Sequence, residues 1–247
     1  MDKIFSSYLK FESPTRNKQS IIGDFIVLLY LIGILPILGV PFSLPFFLAA
    51  IIPAIMITLW GMVYIVDPYK NEKSYYLFLG VYGIVNTYVF FILVQKLLYV
   101  NIGASGPAAF IFSLLLFILL IFGMNWMNWK ALYSGTYYKL QQKTKIPVGW
   151  AALSGVSYVL GQFILSLIYT DSGISILIIV CLSIISLYPA FLSINIHRYF
   201  FIKKNMDKVK QMFPEFGLPK DERYTKKKKK KKKKKRNNNN KKNNLEL

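Results

Sequence analysis

Hydrolysis and group transfer need a nucleophile beside a base, a pair of carboxylates, or a cluster of metal ligands. Residue supply limits all three in this chain. It holds one histidine, His197, and one cysteine, Cys181, so ordinary Cys/His metal sites cannot be assembled and a disulfide within the chain is excluded. No Asp or Glu occurs between Tyr75 and Tyr169. The glycine pair in Gly103-Ala104-Ser105-Gly106-Pro107 lacks the spacing and the lysine of a phosphate-binding loop, and reads as a tight turn before a helix-opening proline. The sequence therefore offers no catalytic, cofactor-binding or metal-ligating set, and nothing in it argues for an enzyme.

The remaining chemistry lies in polar residues set within long apolar stretches, where such groups are costly and often functional. Four stand out: Asp24, Asn86, Lys96 and Gln162. Asp24, about one turn into the first stretch, can reach the headgroup region or pair with His197 or Arg198 at similar depth. Lys96, near the outer end of an overlong stretch, can snorkel to the surface. Asn86, with its neighbour Thr87, and Gln162 read as hydrogen-bonding glue between helices rather than as a substrate site.

The elements that must position these residues are six apolar stretches, at about 21–40, 44–66, 75–100, 107–124, 148–169 and 173–194. Asp24 and Lys96 are the only formal charges among them. A hydrocarbon core about 30 Å thick needs about 20 helical residues, which these stretches supply. An apolar fraction of 54% and a mean hydropathy of +0.40 agree. The expected fold is an all-α polytopic membrane protein: a six-helix transmembrane bundle over 21–202. Before it lies a cytoplasmic segment at 1–20, in which 21–40 is taken as an uncleaved first helix. After it come a juxtamembrane linker at 203–224 and a disordered tail at 225–247.

Lys and Arg counts set the expected orientation, because these residues accumulate on the cytoplasmic side. Connections 41–43 and 170–172 carry none and the third only Lys96, against two at Lys70 and Lys73 and four at Lys130, Lys139, Lys143 and Lys145. From Arg198 onward there are twenty Lys/Arg against five acids, within a total net charge of +20. Both termini are thus expected in the cytoplasm, and the bias is compatible with a plasma membrane. Trp126, Trp129, Tyr133 and Tyr137 share one helical face, either an interfacial aromatic belt or a helix continuing along the membrane surface.

Pro36, Pro41, Pro45 and Pro53 crowd the first hairpin, so 21–66 is either two kinked spans or a segment that enters and returns. Ala151, Gly155, Ser157 and Gly161 on the fifth stretch, and Ser183, Ser186, Ala190 and Ser193 on the sixth, are small residues that let two helices approach; Pro189 should kink the latter. Met206, Val209, Met212 and Phe213 suggest a short surface helix, with Pro214 and Pro219 in the linker beyond it.

The tail holds Lys226, Lys227, Lys228, Lys229, Lys230, Lys231, Lys232, Lys233, Lys234 and Lys235 in unbroken succession, then Arg236 and an asparagine run. Like charges at this density repel, and no apolar residue offsets the ordering entropy. Such a run holds anionic lipid or RNA by charge alone, since no aromatics are interleaved for stacking. The leading expectation is a non-enzymatic membrane protein, a subunit or accessory component of a membrane assembly. A small transporter or permease subunit is the alternative, and a membrane-tethered polyanion binder a third. The expected partners are the lipid bilayer, a membrane protein, and anionic lipid or RNA at the tail, with no specific small molecule.

Overall fold

The computed structural model describes residues 8–9, 11–137, 139 and 170–223. Among these the chain is all-helical, and five helices are long and apolar enough to cross a membrane. The fifth apolar stretch at 148–169, with Gln162 and the small residues Ala151, Gly155, Ser157 and Gly161, lies outside the described residues. So does the lysine run at 226–235.

The first helix, α1, spans Pro14–Leu38 and begins seven residues before the apolar stretch does. Cap chemistry sets that start. Ser13 is extended, its hydroxyl accepts from the Arg16 amide at 3.4 Å, and Pro14 occupies the first turn, where its missing N–H costs nothing. From Phe25 to Ile34 the helix widens into π-type turns, then tightens over Leu35–Leu38, where Pro36 ends the regular ladder. After a short turn α2 spans Leu44–Val66, carrying Pro53 internally. The proline-rich hairpin is therefore two helices, each of span length.

Helix α3, Tyr75–Asn101, forms the centre of the bundle. Its Phe78 meets rings from both earlier helices: Phe25 at 6.2 Å, Trp60 at 5.6 Å and Tyr64 at 4.8 Å between centroids. Such pairs add about 0.5–1.5 kcal/mol each beyond area burial. Helix α4, Ala108–Tyr133, continues unbroken past the apolar stretch, so Trp126, Trp129 and Tyr133 belong to the same helix and are exposed along it. No part of its most apolar stretch is buried.

The last span-length element, Ser172–Lys204, is built from α5 (Asp171–Ile185), α6 (Leu187–Leu192) and α7 (Asn195–Lys204). The first break falls at Ser186, just past Ile185, four residues before Pro189, whose carbonyl would have received the proline's missing N–H. Against this broken segment α3 presents two glycines. A β-carbon on Gly80 would lie 2.6 Å from the Ile196 nitrogen, and one on Gly83 2.8 Å from the Ser193 nitrogen. Backbone thus meets backbone at the centre of the fold, a contact only glycine permits.

A short helix α8, Met206–Met212, follows as expected and buries Val209. The chain beyond it, expected as linker, packs back on the bundle. Phe11 meets Phe213 edge-on and Phe216 at a tilt, with centroids 4.7 and 4.4 Å away, and Phe216 is buried. The buried Glu72 carboxylate, in the α2–α3 connection, accepts from the Gly217 amide at 2.6 Å and pairs with Arg223. Residues 11, 72 and 213–223 therefore sit at one end of the molecule.

Candidate functional site

The polar side chains inside the helical bundle were the strongest functional candidates, and each has a definite place. Asn86 is completely buried on α3 and donates to the Tyr82 hydroxyl at 3.3 Å. Tyr82 in turn donates to the backbone carbonyl of Asp24 on α1 at 2.8 Å. The Asp24 carboxylate lies within hydrogen-bonding reach of the Tyr188 hydroxyl on α6. The structure thus links Asn86 to Asp24 through Tyr82, and with Tyr188 beyond Asp24 three helices meet along that chain.

Asp24 does not pair with His197 or Arg198. His197 Nδ1 instead faces the Tyr8 hydroxyl at 2.9 Å, and Arg198 lies over the Tyr76 ring at 4.6 Å from its centroid. The reason is rotational: α6 turns Tyr188 toward α1, while α7, offset by the break at Ser193, turns His197 and Arg198 toward the N-terminal residues Tyr8 and Phe11. Thr87 is buried as well, but its hydroxyl donates to Gly83 O one turn back and ties nothing across helices.

Lys96 also departs from expectation. It is 1% exposed, and its ammonium donates to the Gly39 carbonyl at 2.6 Å and the Pro36 carbonyl at 3.2 Å. Those carbonyls lie at the C-terminal end of α1, where the helix dipole favours a cation, and that of Pro36 also accepts from the Gly39 amide at 3.2 Å. Lysine acts here as a helix cap delivered from a neighbouring helix. Lys96→Met should therefore loosen the α1–α3 contact by about 1.5–3 kcal/mol, the usual net worth of hydrogen bonds to a charged group. Thermal unfolding in mild detergent reads this as a lowered midpoint; an unchanged midpoint would remove the cap from the account.

Gln95 escaped the sequence reading because it sits beside the more conspicuous Lys96. It is completely buried, donating to the Ser113 hydroxyl on α4 at 2.5 Å. The carbonyl oxygens of Gln95 and Asn86 take no hydrogen-bond donor among the described residues. Asn125 on α4 completes the set by donating to Ser193 at 2.9 Å.

A second cluster lies at the end of the bundle that carries Phe11 and the Glu72–Arg223 pair. Tyr137 donates to Asn128 Oδ1 at 2.6 Å, and Asn128 Nδ2 donates to the Tyr8 hydroxyl at 3.4 Å. Burial pushes the Tyr8 phenol up to about 12, against the opposing pull of the Asn128 hydrogen bond. It is therefore neutral at physiological pH and shares a hydrogen bond with His197 Nδ1. This arrangement ties the N-terminal residues to α4 and α7, and it occupies the only histidine of the chain. Among the described residues no group of three or more His, Cys, Asp or Glu could hold a metal ion, and Cys181 is exposed and unpaired.

The chain matches no protein-family model, no curated protein and no solved structure. Its function has to be argued from these side chains alone.

Proposed function

We propose that this chain is an integral membrane protein of six spans with both termini cytoplasmic, acting without catalysis as a subunit or accessory component of a membrane assembly. The membrane part rests on an inverted distribution of side chains. Leucine, isoleucine and phenylalanine of α2 and α4 face outward, whereas Asn86, Gln95, Lys96 and Asn195 are buried. In water that arrangement is costly twice over; in lipid the outward residues are in their preferred solvent and the polar ones are shielded from it.

One observation carries the functional part. Four polar side chains of the bundle pin one helix to another: Lys96 to α1, Tyr82 to α1, Gln95 to α4 and Asn125 to Ser193. A carrier would turn such groups toward a passage. These are used to make a rigid body with an apolar exterior, which suits a scaffold that presents faces to neighbouring proteins. This favours assembly over transport. The plasma membrane is the expected location, from the lysine bias. The lysine run at 226–235, beyond the docked segment that ends at Arg223, adds an anionic partner, lipid or RNA, at the cytoplasmic face.

In-membrane crosslinking followed by mass spectrometry tests the proposal. Recovery of a stoichiometric membrane-protein partner is expected. A chain that crosslinks to nothing in native membranes and runs alone in mild detergent would refute it.

A further inference from the structure

Several cations of the bundle are answered within it. Carbonyls of α1 take up Lys96, Glu12 takes Arg16, Glu72 takes Arg223, and Arg198 lies over Tyr76. Four lysines at the end of the last span are not. Lys203 and Lys204, in the last turn of α7, and Lys208 and Lys210, on α8, are all exposed. None of the four forms an ion pair among the described residues.

We propose that this edge of α7 and α8 seats anionic phospholipid headgroups of the cytoplasmic leaflet. The choice of leaflet rests on the orientation proposed above; the choice of lipid rests on the residues themselves.

Placement carries the argument. Helix α7 closes the span-length element Ser172–Lys204, so its last turn lies where apolar residues give way to charge. Residues three and four apart share a helix face, which puts Lys203 and Lys204 one turn beyond Phe200 on the same side. Ile202, on the opposite side, is 1% exposed, whereas Phe200 is 55% exposed. An outward ring one turn before two outward lysines sets apolar surface and charge at adjoining depths. Acyl chains below phosphate headgroups match that order, with the lysine stems lying along the apolar layer and their ammonium groups above it. A nucleic acid or a soluble acidic protein would answer the lysines and leave the ring in water.

The bend after α7 extends the edge. Asn205 leaves helical geometry, and its side-chain amide donates to the Phe201 carbonyl at 2.9 Å, which closes α7. Helix α8 then buries Val209 completely, and Lys208 and Lys210 on either side of it are exposed. Asp207 is the single acid on the two helices, so four outward lysines stand against one carboxylate. A lysine held near an anionic leaflet strengthens the association about five-fold.

Photocrosslinking in bilayers tests the assignment. The full-length protein is reconstituted in phosphatidylcholine containing a trace of phosphatidylserine with a photoactivatable headgroup. A parallel sample carries photoactivatable phosphatidylcholine, and adducts are mapped by mass spectrometry. Adducts within 199–212 should form preferentially from the serine lipid. Lys203→Gln and Lys204→Gln should each lower them about five-fold, whereas the arginine substitutions at the same positions should retain them. Equal labelling by the two lipids, adducts confined to the lysine run at 226–235, or glutamine variants that label like the parent would each overturn the proposal. Orientation has its own readout: Lys208→Cys, with Cys181→Ser as background, should react with an impermeant maleimide only in opened cells. Reaction on intact cells would refute the cytoplasmic leaflet even where the serine-lipid preference survives. Loss of that preference, with Lys208→Cys shielded in intact cells, would refute the lipid seat alone.

Discussion

Gly83→Ala should destabilise the fold by about 2–3 kcal/mol, while Gly123→Ala, the same chemical change on a neighbouring helix, should be neutral or slightly stabilising. The difference comes from what each new methyl meets. At Gly123 there is no atom within 4 Å. At Gly83 the methyl would lie 2.8 Å from both Leu192 Cβ and the Ser193 nitrogen, with the Pro189 carbonyl oxygen closer still. Two of these are backbone atoms that no rotamer change can move, so α3 and α6 have to separate. Separation also withdraws Tyr188 from Asp24 and Ser193 from Asn125, because both residues belong to the displaced segment. Thermal or denaturant unfolding of the two variants in the same detergent measures the contrast. Equal midpoints would mean that α3 and α6 do not touch along this line.

The second large effect is expected at Glu72. Its Oε2 accepts both the Gly217 amide and the Arg223 guanidinium, and the two side chains are 5% and 11% exposed. Removing one partner of a buried ion pair strands the other and typically costs about 3–5 kcal/mol. Glu72→Ala should spend most of that locally, undocking 213–223 while the bundle stays folded. An opening equilibrium shifted by 3 kcal/mol is about a hundred-fold change. Trypsin cleavage after Lys210 and Lys220, followed by mass spectrometry, should accelerate by that order. Glu72→Gln, which keeps the acceptor for Gly217 but loses the charge, should fall between. Unchanged cleavage would show that the apolar contacts of Phe11 with Phe213 and Phe216 hold the segment without the ion pair.

Several elements were legible from residue order because their cause is local. Length and apolarity identify a span wherever it sits, and they marked every long helix among the described residues, including both members of the proline-rich hairpin. The break before Pro189 and the short helix Met206–Met212 also follow from local chemistry. The start of α1 at Pro14 was written in Ser13-Pro14 but was masked by the stronger signal of the apolar run seven residues later.

The partners of the polar residues were not legible. Asp24 as a sequence position invites the nearest opposite charge at the same depth, and His197 and Arg198 fit that description. The structure gives it Tyr188 instead, because the breaks in the last span rotate successive parts of that segment differently. Lys96 near a span end suggests snorkelling, yet carbonyls at the end of another helix supply a nearer destination. Gly80 and Gly83 gave a signal that could have been used, small residues three apart on an otherwise bulky helix.

Residue order by itself determined that this chain must cover its backbone with helices, because that demand depends only on the solvent each apolar stretch meets. Tertiary structure alone decided which polar group answers which. The approach of residues 24 and 188, or a hydrogen bond between 39 and 96, depends on rotations and offsets accumulated along whole helices, and those are settled only when the packed faces, with glycine where backbones touch, come together.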